Sequence, residues 1–280
     1  MPISANLKKR LVTGVLGATA LVSVLVYGGV PGVALLALVI SVGMVYEFST
    51  MILGPVDHKR KTALLLFLTF LLSATAFFQE LSIGIVISFL LLFLYYLLEA
   101  GKYEGNHLLE HTRELMVSFF GLFYLALLPQ FLLDIRRHPL GMHWVILFFL
   151  MVWAADVGAY FAGRKWGRHK LYFRVSPGKT LEGSAGGLGC TLLVAVVYQA
   201  IFLTNLSPTY LIVAAILVNL ASQVGDLCES MIKRSFNVKD SGSILPGHGG
   251  FLDRFDGVVI ALPVFAITLH LMEYFSAGIR

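Results

Sequence analysis

Charge is what this sequence lacks most. Only 13% of its 280 residues are Asp, Glu, Lys or Arg, where an ordinary soluble domain carries about a quarter. A chain so poor in charge cannot cover a water-exposed surface of this size. Cysteine is scarce as well: Cys190 and Cys228 stand singly in apolar surroundings, with no Cys-x-x-Cys pair. That excludes a disulfide framework and a cysteine-built metal site, and leaves both as small packing residues. Internal repeats and low-complexity segments are also missing, which argues against a solenoid or a disordered tail.

Apolar sequence takes up the space, at 58% of the chain. Runs of about 17 to 25 apolar residues cross a bilayer as helices. Nine such runs can be read, at 11–28, 32–53, 62–79, 81–99, 115–134, 142–163, 184–204, 208–232 and 257–275. Gly28-Gly29, Pro31, Gly54-Pro55, Pro139, Gly141 and Pro208 separate them. The expected fold is therefore an all-α integral membrane protein with about nine transmembrane helices and no separate soluble domain. Lys8, Lys9 and Arg10 before the first run, with Ala18-Thr19-Ala20 inside it, imitate a signal peptide. Cleavage there would leave an apolar stretch at the short limit, from Leu11 to Gly17, so the first run reads as a membrane helix.

Lys and Arg in the loops set the expected orientation. With the N-terminus in the cytoplasm, the inside segments hold Lys8, Lys9, Arg10, Lys59, Arg60, Lys61, Lys102 and Arg113. They also hold all the basic residues from Arg164 to Lys179, then Lys233, Arg234, Lys239 and Arg254. Outside fall only Arg136, Arg137 and Arg280. The expectation is a cytoplasmic N-terminus, an external C-terminus and a place in the cell (inner) membrane. The formal net charge of +5 then reflects basic loops at an anionic membrane surface and calls for no nucleic acid.

The two halves differ. Residues 1–140 are apolar helices with short loops, suited to scaffold, lipid access or dimer contacts. Residues 141–280 carry the polar cytoplasmic loops 164–183 and 233–256, and form the expected catalytic region. Beside those loops lie Asp156, Asp226, Glu229, Asp253 and Asp256. Carboxylates inside membrane helices are costly, so each marks a candidate functional site. Asp226, Glu229 or Ser230, and Lys233 are spaced to share one helix face, as are Asp253 and Asp256. Mg²⁺ needs only a few carboxylate oxygens when substrate phosphates supply the rest. For Asp253 and Asp256, capping of a helix N-terminus is an equally good account.

The connecting segment contains Lys239-Asp240 and then Leu245-Pro246-Gly247-His248-Gly249-Gly250-Phe251-Leu252. Its glycines can bring backbone N–H groups close to an anion, and Lys239 and Arg254 add charge for phosphate oxygens. The earlier loop reads Ser176-Pro177-Gly178-Lys179-Thr180-Leu181-Glu182-Gly183. It has Gly-Lys-Thr but Phe173 where a Walker loop needs glycine. His107-Leu108-Leu109-Glu110-His111 imitates a zinc-peptidase pattern without an evident third ligand. Glu47 is an isolated acid in the second run, a candidate neighbour of the same site that the spacing does not place. Ala155, Ala159 and Ala162-Gly163 form a close-packing face beside Asp156.

Taken together, Ser230-Met231-Ile232-Lys233-Arg234, Lys239-Asp240, Leu245 to Gly250 and Asp253-Arg254-Phe255-Asp256 closely resemble the signature of the phosphatidate cytidylyltransferases, the CDP-diacylglycerol synthases. The stretches 155–160 and 176–183 and the pair Gly225-Asp226 are similar to that family too. The resemblance is specific over roughly 150–260 and rests on hydropathy elsewhere. It implies a transferase that joins CTP and phosphatidic acid to give CDP-diacylglycerol and pyrophosphate in phospholipid biosynthesis. It further implies Mg²⁺ and a second cation, a homodimer, and a cavity open to cytoplasm and membrane.

On that resemblance the metal ligands are Asp226, Asp253 and Asp256. The catalytic set is Asp226, Lys233, Arg234, Lys239, Asp240, His248 and Arg254. Ser176, Lys179, Thr180, Glu182, Ser230, Gly247, Gly249 and Gly250 would bind substrate. Two other lipid-enzyme classes use related chemistry, the CTP-dependent polyprenol or phytol kinases and the CDP-alcohol phosphotransferases. The DGxxAR pattern of the latter is missing here, because Val258 follows Asp256-Gly257. A transporter would place its acids at midplane on broken, repeated helices, whereas these gather at one face in one half of the chain.

Overall fold

The computed structural model describes residues 17, 19, 21–53, 58–242, 244 and 249–278. Residues 11–16, 18 and 20 of the expected first helix, the residues Leu245, Pro246, Gly247 and His248, and Arg280 lie outside them. Among the described residues, eight helices are long and apolar enough to cross a membrane, and each coincides with one of the expected runs. The chain is a multi-pass membrane protein.

The helices are α1 (Gly29–Ile52), α2 (His58–Phe77), α3 (Leu81–Ala100), α4 (Asn106–Gly121), α5 (Phe131–Arg137), α6 (Gly141–Trp166), α7 (Leu181–Phe202), α8 (Pro208–Ser235) and α9 (Leu252–Gly278). A π-helical turn at Leu122–Leu127 and a 3₁₀ turn at Leu128–Gln130 join α4 to α5, so these four elements make one crossing. Pro129 explains the tightening there, since it has no N–H to offer the helical ladder. The expected polar loop 164–183 is more ordered than a loop. It holds an antiparallel hairpin of β1 (Lys170–Tyr172) and β2 (Ser176–Thr180), with Lys170 opposite Thr180 and Tyr172 opposite Ser176.

The described chain divides into two compact units. One comprises the described residues up to 24 with 30–133 and 240–252, the other 25–29, 134–239 and 253–278. The described residues from Asp240 to Leu252 thus group with the N-terminal helices.

In the first unit, α2 and α3 pack where Gly84 lies against Thr75; a Cβ at Gly84 would sit 1.9 Å from Oγ1 of Thr75. Lys61 is buried and paired with Glu114. Tyr96 and Ser118 share a buried hydrogen bond of 2.9 Å. His111, from the zinc-like pattern, is bonded through Nε2 to the Tyr96 carbonyl at 2.9 Å. The outer face of α3 exposes Val86, Phe89, Leu90, Leu94, Leu97 and Leu98, a surface whose natural solvent is acyl chain.

In the second unit the tightest pair is α6 with α7, built on small residues. A Cβ at Gly186 would lie 2.2 Å from that of Ala162, one at Gly187 2.8 Å from the Ala155 carbonyl, and one at Gly183 2.9 Å from the Ala159 carbonyl. Lipid tails are as apolar as leucine, so helices in a bilayer associate where small residues permit close van der Waals contact. The small-residue face read from Ala155, Ala159 and Ala162 is this seam. At the far end of the unit, Phe265 of α9 packs on Phe148 and Trp144 with ring centroids 5.6 and 6.2 Å apart. We expect Gly186→Val to destabilise the detergent-solubilised protein by about 1–3 kcal/mol through overpacking of this seam, read as a lowered thermal unfolding midpoint, while Gly189→Val, which has open space, leaves the midpoint in place.

Candidate active site

The candidate site is built where three helices of the second unit, α6, α8 and α9, approach one another. Helices α8 and α9 touch backbone to backbone. A Cβ at Gly225 would meet the Asp256 carbonyl oxygen at 2.4 Å, and one at Gly257 would meet Oγ of Ser222 at 2.5 Å. Each glycine is adjacent in sequence to an aspartate, so this contact draws Asp226 and Asp256 together. The charges acting on Asp256 include those of Asp226, Glu229 and Asp156, and those acting on Asp156 include Asp226, Lys179 and Arg254. Carboxylates from three helices therefore feel one another directly. The Asp256 carboxylate also accepts the Gly257 N–H at 2.7 Å.

Two lysines answer this negative charge. Lys179, at the end of β2, forms an ion pair with Asp226. Lys233, one turn beyond Glu229 on α8, reaches Glu229 at 2.6 Å and donates to Asp253 at 2.7 Å. Glu229 is 0% exposed, and a buried carboxylate is tolerable only with such a partner. Of the three expected metal ligands, Asp226 and Asp256 are thus brought together at the helix contact, while Asp253 is turned to Lys233. Asp156 joins the first two from α6.

The other expected residues take varied positions. Thr180 is the N-cap of α7, accepting the Gly183 N–H at 3.1 Å. Glu182 accepts the backbone N–H groups of Arg168 and His169 at 3.1 and 3.3 Å and lies 2.6 Å from Nδ1 of His169, which anchors the hairpin to the start of α7. Arg234 donates to the Val238 carbonyl at 3.1 Å near the end of α8. Lys239, Asp240 and Arg254 are exposed, and Ser176 and Ser230 are half-buried. Gly249 has φ of 83°, a conformation only glycine adopts freely, and Gly250 is buried. Gly247 and His248 lie outside the described residues.

A cavity of about 440 Å³ opens beside the Lys179–Asp226 pair, within the size range of small-molecule sites. Asp156, Tyr160, Arg164 and Gly178 line it on one side, and Ser184, Asn219, Ser222 and Gln223 on the other. Ser184 donates to Gln223, Gln223 to Asn219 at 2.6 Å, and Asn219 to Thr191 at 3.3 Å. This polar line escaped the reading of motifs, although Asn219, Ser222, Gln223 and Asp226 recur at helical spacing within an otherwise apolar run. That stripe was the available signal.

The donor set suits a hard divalent cation. Among the described residues, no three acidic, histidine or cysteine side chains stand close enough to hold a metal ion by themselves. Mg²⁺ asks for less, one or two carboxylates with phosphate oxygens and water completing the octahedron. The carboxylates that could contribute are Asp226 and Asp256 from the α8–α9 contact, with Asp156 of α6 within electrostatic range of both.

Residues 8–272 match the family model described as the Cytidylyltransferase family, and the chain belongs to this family. Among curated proteins, the phosphatidate cytidylyltransferase of Bacillus subtilis (strain 168) is 32% identical over 276 residues, covering 96% of this chain and 99% of that protein. Those of Staphylococcus saprophyticus and Staphylococcus haemolyticus are 48% and 49% identical over 129 residues, 46% of this chain and 50% of each relative. In these two matches the aligned segment spans about half the length of the relative.

Lys233→Met removes the cation held between Glu229 and Asp253. We expect a loss of about 3–5 kcal/mol from the buried charge left unpaired, measured by thermal unfolding. Adding Glu229→Gln to that variant should restore part of it.

Proposed function

We propose that this protein is a phosphatidate cytidylyltransferase, converting CTP and phosphatidic acid to CDP-diacylglycerol and pyrophosphate. The observation that carries the reading is the gathering of Asp156, Asp226 and Asp256 with Lys179 beside a cavity at one end of three membrane helices. It is supported by the family to which the chain belongs and by the near full-length correspondence to the Bacillus subtilis relative.

The reaction joins two anions. A phosphate oxygen of phosphatidic acid attacks the α-phosphorus of CTP, a new P–O bond forms, the bond to the bridging oxygen breaks, and pyrophosphate leaves. The catalytic demand is alignment and charge neutralisation more than covalent chemistry. Bound Mg²⁺ supplies electrostatic stabilisation of the triphosphate charge. Asp226 and Asp256 would hold it, with Asp156 at hand, and a second cation would add to the same effect. Asp253 and Glu229 hold Lys233 between them, which fixes its positive charge at the same end of the unit. Lys179, paired with Asp226 at the cavity wall, would be placed to meet a phosphate oxygen. Arg254 adds positive charge to the same end of the unit. The hydroxyl and amide groups of Ser184, Asn219 and Gln223 offer neutral hydrogen bonds deeper in the cavity.

The reading places the site at the cytoplasmic face of the inner membrane, where CTP is available, with the N-terminus inside and the C-terminus outside. The uneven distribution of Lys and Arg supports this. A homodimer completes the proposal.

The test uses purified full-length protein in detergent with phosphatidic acid, labelled CTP and Mg²⁺. We expect label from the α-phosphate to enter the lipid phase with one pyrophosphate released per lipid. Asp256→Asn should lower kcat by about 100-fold or more, and EDTA should abolish turnover. Retention of full activity by Asp256→Asn would remove the metal assignment. Absence of transfer by folded wild-type protein would remove phosphatidic acid as acceptor and direct the assay to prenols and prenyl phosphates.

A further inference from the structure

The first unit contains a buried acid that the transfer chemistry does not use. Glu47, on α1, is 1% exposed. A carboxylate at that depth in a membrane helix is costly unless its position is required. Its Oε2 accepts two hydrogen bonds, from Oγ of Ser241 at 2.9 Å and from the backbone N–H of Leu252 at 3.0 Å. These donors bracket the glycine-rich segment, one at its start and one at its end.

The surroundings of Glu47 admit little else. A Cβ at Gly242 would stand 2.5 Å from Oε1 of Glu47, and one at Gly250 would stand 2.3 Å from Oε2 and 2.1 Å from Oγ of Ser241. One turn earlier on α1, Gly43 receives the ring of Phe251; a Cβ there would lie 2.7 Å from the ring. Gly43 and Glu47 are four apart, so they present one face of α1. Along that face the helix is a socket, apolar at Gly43 and anionic at Glu47, fitted to residues 241–242 and 250–252. Oε1 has no hydrogen-bond partner among the described residues, so the carboxylate is held through one oxygen.

Leu252 is also the first residue of α9. Its N–H belongs to the helix's first turn, where backbone donors lack intrahelical acceptors and where a negative charge interacts favourably with the helix dipole. Glu47 thus caps α9 from a distant part of the sequence. Asp253 follows immediately, and Asp256 lies one turn further.

We propose that Glu47 is a positioning residue for the transfer reaction: by fastening both ends of the glycine-rich segment to α1 it fixes where α9 begins, and with it the setting of Asp253 and Asp256. This rests on the cytidylyltransferase reading for its effect on rate, but the clasp itself is a structural statement and can be read without turnover.

The experiment pairs hydrogen–deuterium exchange with kinetics on full-length protein in detergent, using wild type, Glu47→Ala, Glu47→Gln and Ser241→Ala. In Glu47→Ala, amides in peptides covering 249–256 should exchange about 10-fold faster, as expected for loss of a hydrogen bond to a charged group. With CTP, phosphatidic acid and Mg²⁺, kcat should fall about 100-fold, the scale of a small misplacement of catalytic groups, while KM for phosphatidic acid stays within about threefold by the same argument. Glu47→Gln keeps an accepting oxygen and should recover most of the rate. If Glu47→Ala does not fold, Ser241→Ala decides, with faster exchange and reduced kcat expected. Unchanged exchange over 249–256 overturns the clasp. Faster exchange with an unchanged kcat overturns the positioning role, as does a loss of rate that follows thermal destabilisation and is not rescued by glutamine. If wild type exchanges as expected but transfers no label, the cytidylyltransferase reading fails while the clasp is still judged by the exchange of its variants.

Discussion

The backbone contact between α8 and α9 at Gly225 and Gly257 is the constraint on which the candidate site depends. Neither position admits a side chain, since a Cβ at Gly225 would lie 2.4 Å from the Asp256 carbonyl and one at Gly257 2.5 Å from the Ser222 hydroxyl. An aspartate stands next to each glycine, so the same closeness that favours the helices in lipid obliges two carboxylates to approach. In a medium of low dielectric that approach is strongly unfavourable unless cations intervene. Much of the local structure follows from this need. Lys179 arrives on a hairpin that Glu182 and Thr180 anchor to α7, and Lys233 arrives from the turn of α8 that also carries Glu229.

The cations differ in how they are held, and the difference bears on function. Lys233 is enclosed by two acids, one of them Glu229 with no exposed surface, so its ammonium has a fixed place. Lys179 lines a cavity and pairs there with Asp226. Exchange of a partner costs less for a lysine at a solvent-accessible wall than for one enclosed between acids. A site that receives a polyanion needs both kinds, one to keep the architecture and one free to change partners.

Glycine serves the two units in the same way but to different ends. Along α6 and α7 it makes a seam between helices that carry no charge at the contact. Around Glu47 it makes room for an acid and for the chain that the acid binds, at Gly242 and Gly250, while Gly43 makes room for Phe251. The N-terminal helices therefore do more than offer an apolar surface to lipid. They contribute one carboxylate, and its partners Ser241 and Leu252 lie 194 and 205 residues away in the sequence.

The sequence by itself determined the membrane character and the sites of the eight described spans, because length and hydropathy of a run suffice when the solvent is a bilayer and every backbone group must bond within its own helix. It also determined the small-residue face at Ala155, Ala159 and Ala162 and the prominence of Asp156, Asp226, Glu229, Asp253 and Asp256 beside the two polar loops, since intramembrane carboxylates are rare enough to be conspicuous one by one. Tertiary structure decided the pairings: Asp253 with Lys233, Asp226 with Lys179, Glu182 with the hairpin, and Glu47 with Ser241 and Leu252. It decided as well that residues 170–180 form a hairpin and that Asn219 and Gln223 face a cavity. Periodicity reports which face of a helix a residue occupies, but which residue meets it there depends on how helices distant in sequence pack, and hydropathy alone does not encode that.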